Sequence, residues 1–235
     1  MITEAIILAG GLGTRLRSAI PDLPKCMAPV AGKPFLYYVL NYFRQQGIRK
    51  FILALGYKHE LIENYIQNDF AIQGSAIQFS IEQEPLGTGG AVKLATCTIE
   101  EKNFLLVNGD TFFDVDVNAL SGFHQTHHAD CCLSLKPMSS ADRYGIVLLK
   151  EDGSIKSFEE KKPNSSGLIN GGVYTLQTES FLKENLPDRF SFEKDYLEKF
   201  YSVRRMFGFR QDKYFIDIGL PEDYSRAQKE FAQNR

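Results

Sequence analysis

The sequence predicts an α/β fold built on a mainly parallel sheet with helices on both faces. Three observations lead there. Short continuous apolar runs alternate with amphipathic helical stretches through the first half of the chain. The runs are apolar at consecutive positions, the pattern of strands covered on both sides. The first run ends in a glycine cluster, "AIILAGGLGTRLR", at the strand–helix junction where the backbone of an α/β protein can approach a ligand.

Glu4–Ala9 reads as a buried strand, too short and too β-branched for a helix. Pro34 opens a helix with Phe35, Leu36, Val39, Leu40 and Phe43 on one face, and Gly47 stops it. Phe51–Leu55 is a second strand. His59–Asn68 is a helix with Leu61, Ile62, Tyr65 and Ile66 at helical spacing. Ala76–Ile81 is a third strand, Ala91–Thr96 the body of a helix and Phe104–Val107 a fourth strand. The second half changes character. Asp130–Leu135, Gly145–Leu149, Ser154–Phe158 and Ile169–Leu176 are strand-like, with a hairpin turn at Glu151–Ser154. Short helices follow at Thr178–Asn185 and Phe192–Phe200, strands at Val203–Phe209 and Lys213–Ile216, and Pro221 opens a final helix. With no repeat, low-complexity tract or linker, the 235 residues read as one unit, a sheet with a small mixed β elaboration.

Hydrophobic content of 43% and charged content of 24% are those of an ordinary soluble globular chain. A net charge of −2 supplies no global field for nucleic acid or an anionic membrane, so neither is an expected partner. A phosphate ligand has to be held by local positive groups. No run approaches the ~18 apolar residues of a membrane span, and the N-terminus has no basic region ahead of an apolar one. A cytoplasmic enzyme is expected. Cys26, Cys97, Cys131 and Cys132 form no C-x-x-C pair and read as small buried residues of a reducing compartment. His124, His127 and His128 read as the solvated polar face of a surface helix rather than a zinc site.

Two familiar phosphate loops fail on the opening stretch. A P-loop requires Gly-Lys-Ser/Thr, and Gly13 is followed by Thr14 and Arg15. A dinucleotide fingerprint requires a third glycine where Leu16 stands. What remains is Gly10-Gly11-x-Gly13-Thr14-Arg15, followed by Lys25 in "LPKCMAPVAGKP". Its amides and cations suit phosphate oxygens; a glycine-rich turn with solvated basic residues is the alternative. Lys33 reads as a surface or helix-start residue. Asp110 ends "FLLVNGD", at the carboxyl edge of a strand where open α/β sheets bind ligands. Asp217 is a lone acid in the apolar "YFIDIG". Such an acid is costly unless paired or metal-bound. A helix cap at Asp110 and a local ion pair at Asp217 are the structural alternatives to metal binding.

"LAGGLGTRLR" and "PKCMAPVAGKP", followed in order by "EQEPLGTGGA", "VNGD", "RYG", "FEEK", "NGGVY" and "FIDIG", resemble the sugar-1-phosphate nucleotidyltransferases along nearly the whole chain. The resemblance implies a Rossmann-like three-layer nucleotidyltransferase fold in a single domain over 1–235. A nucleotide-binding half runs to about residue 115 and a sugar-phosphate half follows. It also implies that a sugar phosphate oxygen attacks the α-phosphorus of a nucleoside triphosphate and that pyrophosphate leaves. The nucleophile is already an anion, so positioning and charge neutralisation are the catalytic tasks.

Carried onto this chain, the resemblance implies catalytic roles for Arg15, Lys25 and Asp110, and Mg²⁺ held by Asp110 and Asp217. It implies nucleotide contacts from Leu8, Ala9, Gly10, Gly11, Gly13, Thr14 and Arg15, and from Glu82, Pro85, Gly87, Thr88 and Gly109. Glu82 or Glu84 can accept from a base amino group, and the glycines of "EPLGTGGA" suggest close backbone approach by the ligand. For the sugar phosphate it implies Tyr144, Gly145, Glu160, Lys161, Asn170 and Gly171. Lys162 stands where the family pattern has proline after Lys161, so either lysine can be the phosphate contact. Cys26 and Met27 stand where the family often has proline.

Among the branches, "KCMAPVAGKPF", "GDTFFDVD", "GLINGGVY" and "SFEKD" are most similar to the one that transfers a guanylyl group from GTP to a heptose 1-phosphate. Mannose 1-phosphate is the alternative acceptor, and a homo-oligomer is allowed. A nucleotide-sugar sensor without turnover would be expected to lack Arg15, Lys25, Asp110 or Asp217, and all four are present.

Overall fold

A computed structural model describes residues 1–11, 16, 20, 22–70, 74–159 and 166–234. Strand β1 (Glu4–Leu8) lies between two parallel neighbours, β4 (Lys50–Leu55) and β6 (Asn103–Asn108), and β5 (Ala76–Ile81) extends the sheet beyond β4. Two short strands, β2 (Pro29–Val30) and β3 (Lys33–Pro34), form a separate ribbon ahead of helix α1 (Phe35–Gln45). Helices α2 (His59–Asn68) and α3 (Gly87–Thr96) make the remaining crossovers.

The predicted three layers are legible in residue parity. Ala5 and Ile7 of β1, Phe51 and Leu53 of β4, and Leu105 and Val107 of β6 pack in one core with Phe35, Leu36, Val39, Leu40 and Phe43 of α1. Ile6, Ile52, Ala54 and Leu106 point the other way, into a second core with Val92 and Ala95 of α3. Consecutive residues of a strand face opposite sides, so a strand buried on both faces has to be apolar throughout. Gly47, at φ +103°, ends α1 as predicted.

Beyond β6 come β7 (Thr111–Phe113), α4 (Val117–Thr126), β8 (Cys131–Met138), β9 (Ile146–Leu149), β10 (Ile155–Glu159) and β11 (Gly167–Gln177). Strand β11 runs antiparallel to β6, β8 and β9, joining the second half to the first in one nine-stranded sheet. Asp152 accepts from the Ser154 amide, and Gly153 at φ +82° completes the expected β9–β10 turn. The chain closes with α5 (Thr178–Leu182), a wide helical turn Phe192–Leu197 continued by α6 (Glu198–Phe200), β12 (Met206–Arg210), β13 (Phe215–Asp217) and α7 (Pro221–Asn234).

Several expectations are corrected. Helix α3 begins at Gly87 rather than Ala91, so three glycines lie inside its first turns. The strand expected from Val203 starts at Met206, after a turn that leaves Val203 70% exposed. Leu61 lies on the outer face of α2. Cys26, Cys131 and Cys132 are buried, but Cys97 is exposed. The histidines do not share one solvated face: His128 is exposed as expected, His127 is half-buried and His124 is buried. His124 is 3% exposed, its Nδ1 shares a hydrogen with Thr175 Oγ1 at 2.9 Å, and burial pushes its pKa down to about 4. His127 packs its ring 4.1 Å from that of Phe123.

Candidate active site

Strand order β5-β4-β1-β6 places successive crossovers on opposite sides of β1, so the chain reverses direction between β1 and β6. Ligands of open α/β sheets bind outside the carboxyl ends of strands at such a point. Gly109 makes the crevice tight: its amide donates to Leu8 O at 2.9 Å, and a Cβ there would lie 2.6 Å from that oxygen. A cavity of about 780 Å³ opens here, with Leu8, Ala9, Gly10 and Gly11 after β1 and Gly109 and Asp110 after β6 on its wall.

The two candidate metal ligands meet although 107 positions separate them (217 − 110). Strand β13 pairs antiparallel with β7, setting Asp217 opposite Thr111, and Ile218 donates its amide to Asp110 O at 3.1 Å. Lys25, from the short 3₁₀ turn Lys25–Met27, extends its ammonium between both carboxylates, bonding Asp110 Oδ2 and lying 3.3 Å from Asp217 Oδ1. Gly219 leaves the necessary space, since a Cβ would stand 2.9 Å from both Lys25 Nζ and Asp217 Oδ1. Burial raises the Asp217 pKa, Lys25 opposes the rise and the nearby Asp110 adds to it; the net shift is upward. Cys26 beside them is an inert thiol, pushed up to about 12 first by burial and then by Asp110.

Among the described residues no group of three or more His, Cys, Asp or Glu gathers as a metal site. The Asp110–Asp217 pair nevertheless suits Mg²⁺, which takes hard oxygen ligands and needs only one or two carboxylates when phosphates complete its shell. Two carboxylates compressed onto one ammonium, one of them with a raised pKa, are a site that added positive charge would relieve.

Glu82, Pro85, Gly87 and Thr88 line the same cavity. The glycines nearby have a different reason from the one expected. Gly89 and Gly90 admit the 188–190 segment: a Cβ on Gly89 would meet the Phe190 ring at 2.1 Å, and one on Gly90 the Asp188 carbonyl oxygen at 2.1 Å. Gly87, at φ +73°, lies against Phe190 O. Gly10 packs against Gly56 N, and Gly56 makes room for the Glu82 carboxylate. Glu82 Oε2 accepts from Leu86 N at 3.0 Å, which orients the carboxylate. These glycines serve chain-to-chain packing, and of the described glycines on the cavity wall Gly11 alone has open space at its Cβ position.

Tyr144, Gly145, Asn170 and Gly171, expected on the sugar side, do not line that cavity. Tyr144 lies near Asp217; burial and then that charge push its hydroxyl up to about 12. Gly145 faces Glu159 O. Asn170 is engaged by its own strand, donating to Tyr174 Oη at 2.9 Å and accepting from Gly172 N at 3.1 Å. Gly171 accommodates the Phe113 ring. Gly13, Thr14, Arg15, Glu160 and Lys161 lie outside the described residues. Lys33 is exposed, its Nζ 5.5 Å over the Tyr37 ring.

The wall also contains residues that sequence reasoning missed. Tyr57, Lys58 and His59 follow β4, and Lys58 Nζ donates to Asp22 O at 2.8 Å. Gly56 was the available signal, a glycine after a buried strand like Gly10 after β1. Glu193 was missed because "SFEKD" looks locally like a helix start.

Residues 4–234 match the nucleotidyl transferase family. The chain is 51% identical over 227 residues to D-glycero-alpha-D-manno-heptose 1-phosphate guanylyltransferase of Aneurinibacillus thermoaerophilus, covering 97% of each chain. It is 47% identical over 221 residues to the protein of the same name from Campylobacter jejuni, covering 94% of this chain and 96% of that one. The crystal structure of HddC from Yersinia pseudotuberculosis, also solved complexed with GMP-PN, superposes with a TM-score of 0.88 at 39% identity, over 98% of this chain and 100% of that one. A central, mostly parallel sheet, a crevice at its point of reversal and these full-length matches lead to one conclusion: the chain belongs to the nucleotidyl transferase family.

Proposed function

We propose that this chain joins GTP and D-glycero-α-D-manno-heptose 1-phosphate to give GDP-heptose and pyrophosphate. The observation that carries the reaction class is Lys25 bridging Asp110 and Asp217 at the carboxyl edge of β1 and β6. The sugar and base follow from the names of the two relatives at 51% and 47% identity and from HddC complexed with GMP-PN.

A phosphate oxygen of the sugar 1-phosphate forms a bond to the α-phosphorus of GTP. The bond from that phosphorus to the α,β-bridging oxygen breaks, and its electron pair leaves with pyrophosphate. No proton has to be removed from the nucleophile, so the chain's task is to hold two polyanions in line and neutralise developing charge. Lys25 moves its ammonium from the carboxylates to the reacting phosphates, where it opposes the charge on the leaving group. Arg15 takes the terminal phosphates as a planar fork. Asp110 and Asp217 would hold Mg²⁺, which would supply positive charge to screen the α-phosphate and the sugar phosphate from each other. Glu82 and Pro85 border the base; Glu82, already oriented by the Leu86 amide, accepts from a guanine N–H. Tyr144, Gly145, Glu160, Lys161, Asn170 and Gly171 form the sugar side. The first 115 residues thus act as a nucleotide half and the rest as a sugar-phosphate half of a single domain. The enzyme works in the cytoplasm, where GTP is available; among the described residues no helix is long and apolar enough to cross a membrane.

Pyrophosphate release across four nucleoside triphosphates and a set of sugar 1-phosphates tests this reading. GTP with the heptose 1-phosphate is expected to give the highest kcat/KM. Folded, nucleotide-binding protein that releases no pyrophosphate with any pair would be a sensor instead.

A further inference from the structure

The cavity wall is drawn from residues 8–110, with two exceptions, Gly219 and Glu193. Gly219 belongs to the Lys25–Asp217 contact. Glu193 has no such assignment. It stands in the Phe192–Leu197 turn, whose start is fixed by Ser191 Oγ accepting from Lys194 N. Its carboxylate is held by one oxygen: Oε2 accepts from Thr88 Oγ1 at 2.8 Å and from Ser191 Oγ at 3.1 Å. Thr88 is itself fixed, accepting from Phe192 N at 2.9 Å. Among the described residues no group donates to Oε1, and no lysine or arginine pairs with the carboxylate. An oriented carboxylate with a spare oxygen and no cation repels phosphate and attracts a neutral donor.

We propose that Glu193 is a specificity-determining residue of the sugar subsite, its Oε1 accepting a hydrogen bond from a hydroxyl of the sugar 1-phosphate. The inference rests on the transferase reading above. The base has its own wall at residues 82–85, and Glu193 is the carboxylate that the second half of the chain contributes to the cavity. Behind the wall, the buried Tyr174, bonded to Asn170, lies close enough to feel the Glu193 charge. The ligand class is therefore a polyhydroxylated sugar phosphate, read at a hydroxyl rather than at its phosphate.

Glu193→Ala is expected to lower kcat/KM for the heptose 1-phosphate about 10–100-fold, the loss seen when one hydrogen bond to a charged group disappears, with KM for GTP within about twofold. Glu193→Gln, which keeps an acceptor oxygen, is expected to recover part of that loss. Mannose 1-phosphate and its monodeoxy derivatives give the readout a structural role would not move. One derivative, or mannose 1-phosphate itself if the hydroxyl is on the side chain, is expected to be used almost equally by wild type and Glu193→Ala. An equal loss with every sugar, a loss confined to KM for GTP (a ribose contact), or no loss would overturn the proposal. Calorimetric binding of the heptose 1-phosphate beside a non-hydrolysable GTP analogue reads the same contact without turnover. Failure of the transferase reading would appear in the wild-type assay, and failure of this proposal in the variant's Kd.

Discussion

The Lys25 ammonium lies 3.3 Å from Asp217 Oδ1 while bonding Asp110, so a single cation holds together two carboxylates from distant parts of the chain. In the proposed reaction that cation must leave the carboxylates for the phosphates. Lys25→Met is expected to lower kcat by about 10²–10³-fold, the cost of removing one preorganised charge from a developing anion. The same variant frees the carboxylates of their counter-ion, so the protein without nucleotide should bind Mn²⁺ more tightly than wild type, measured by calorimetry.

Asp110→Asn tests the metal assignment. Removing one of two hard ligands should lower turnover at saturating Mg²⁺ and lower it further at limiting Mg²⁺. A Mg²⁺ titration of initial rates is the measurement. Near-wild-type turnover at low Mg²⁺ would leave Asp110 no ligand role.

Two glycine substitutions in helices should move stability in opposite directions. Gly90→Ala drives a methyl into the Asp188 carbonyl, a backbone atom, and should cost about 1–3 kcal/mol. Gly122→Ala in α4 meets nothing within 4 Å and should add roughly 0.5–1 kcal/mol. Denaturant unfolding of both variants measures the two signs.

Stability should fall on mild acidification because of His124. Burial lowers its folded pKa to about 4, while the unfolded value is ~6.5. Between these values the unfolded chain binds the proton and the folded chain does not. The contribution is whole above ~6.5 and is lost as pH falls towards 4, at up to about 1.4 kcal/mol per pH unit. His124→Gln should flatten that part of the pH–stability curve, followed by urea midpoints from pH 7 to pH 4.5.

The parallel half was legible because burial on both faces writes itself as continuous apolar runs, and β1, α1, α2 and β5 lie where periodicity put them. The burial of His124 was not legible, because nothing local reveals that α4 turns it towards Thr175 of β11, 51 residues away, whereas His128 is exposed as expected. The glycines of α3 were legible as close approach but not as approach to what: Phe190 and Asp188 reach them across a hundred residues. At the site, Asp110 announced itself at a strand end, whereas Glu193 did not, since only the packing of its turn on Thr88 turns a helix-start carboxylate into a cavity wall.

Competition between the two sugars tests the central claim most directly. With GTP and Mg²⁺ present, the ratio of kcat/KM for D-glycero-α-D-manno-heptose 1-phosphate to that for mannose 1-phosphate is read from the two GDP-sugars formed in one mixture, separated chromatographically. The account predicts a clear preference for the heptose. Equal values, or a preference for mannose 1-phosphate, would contradict it.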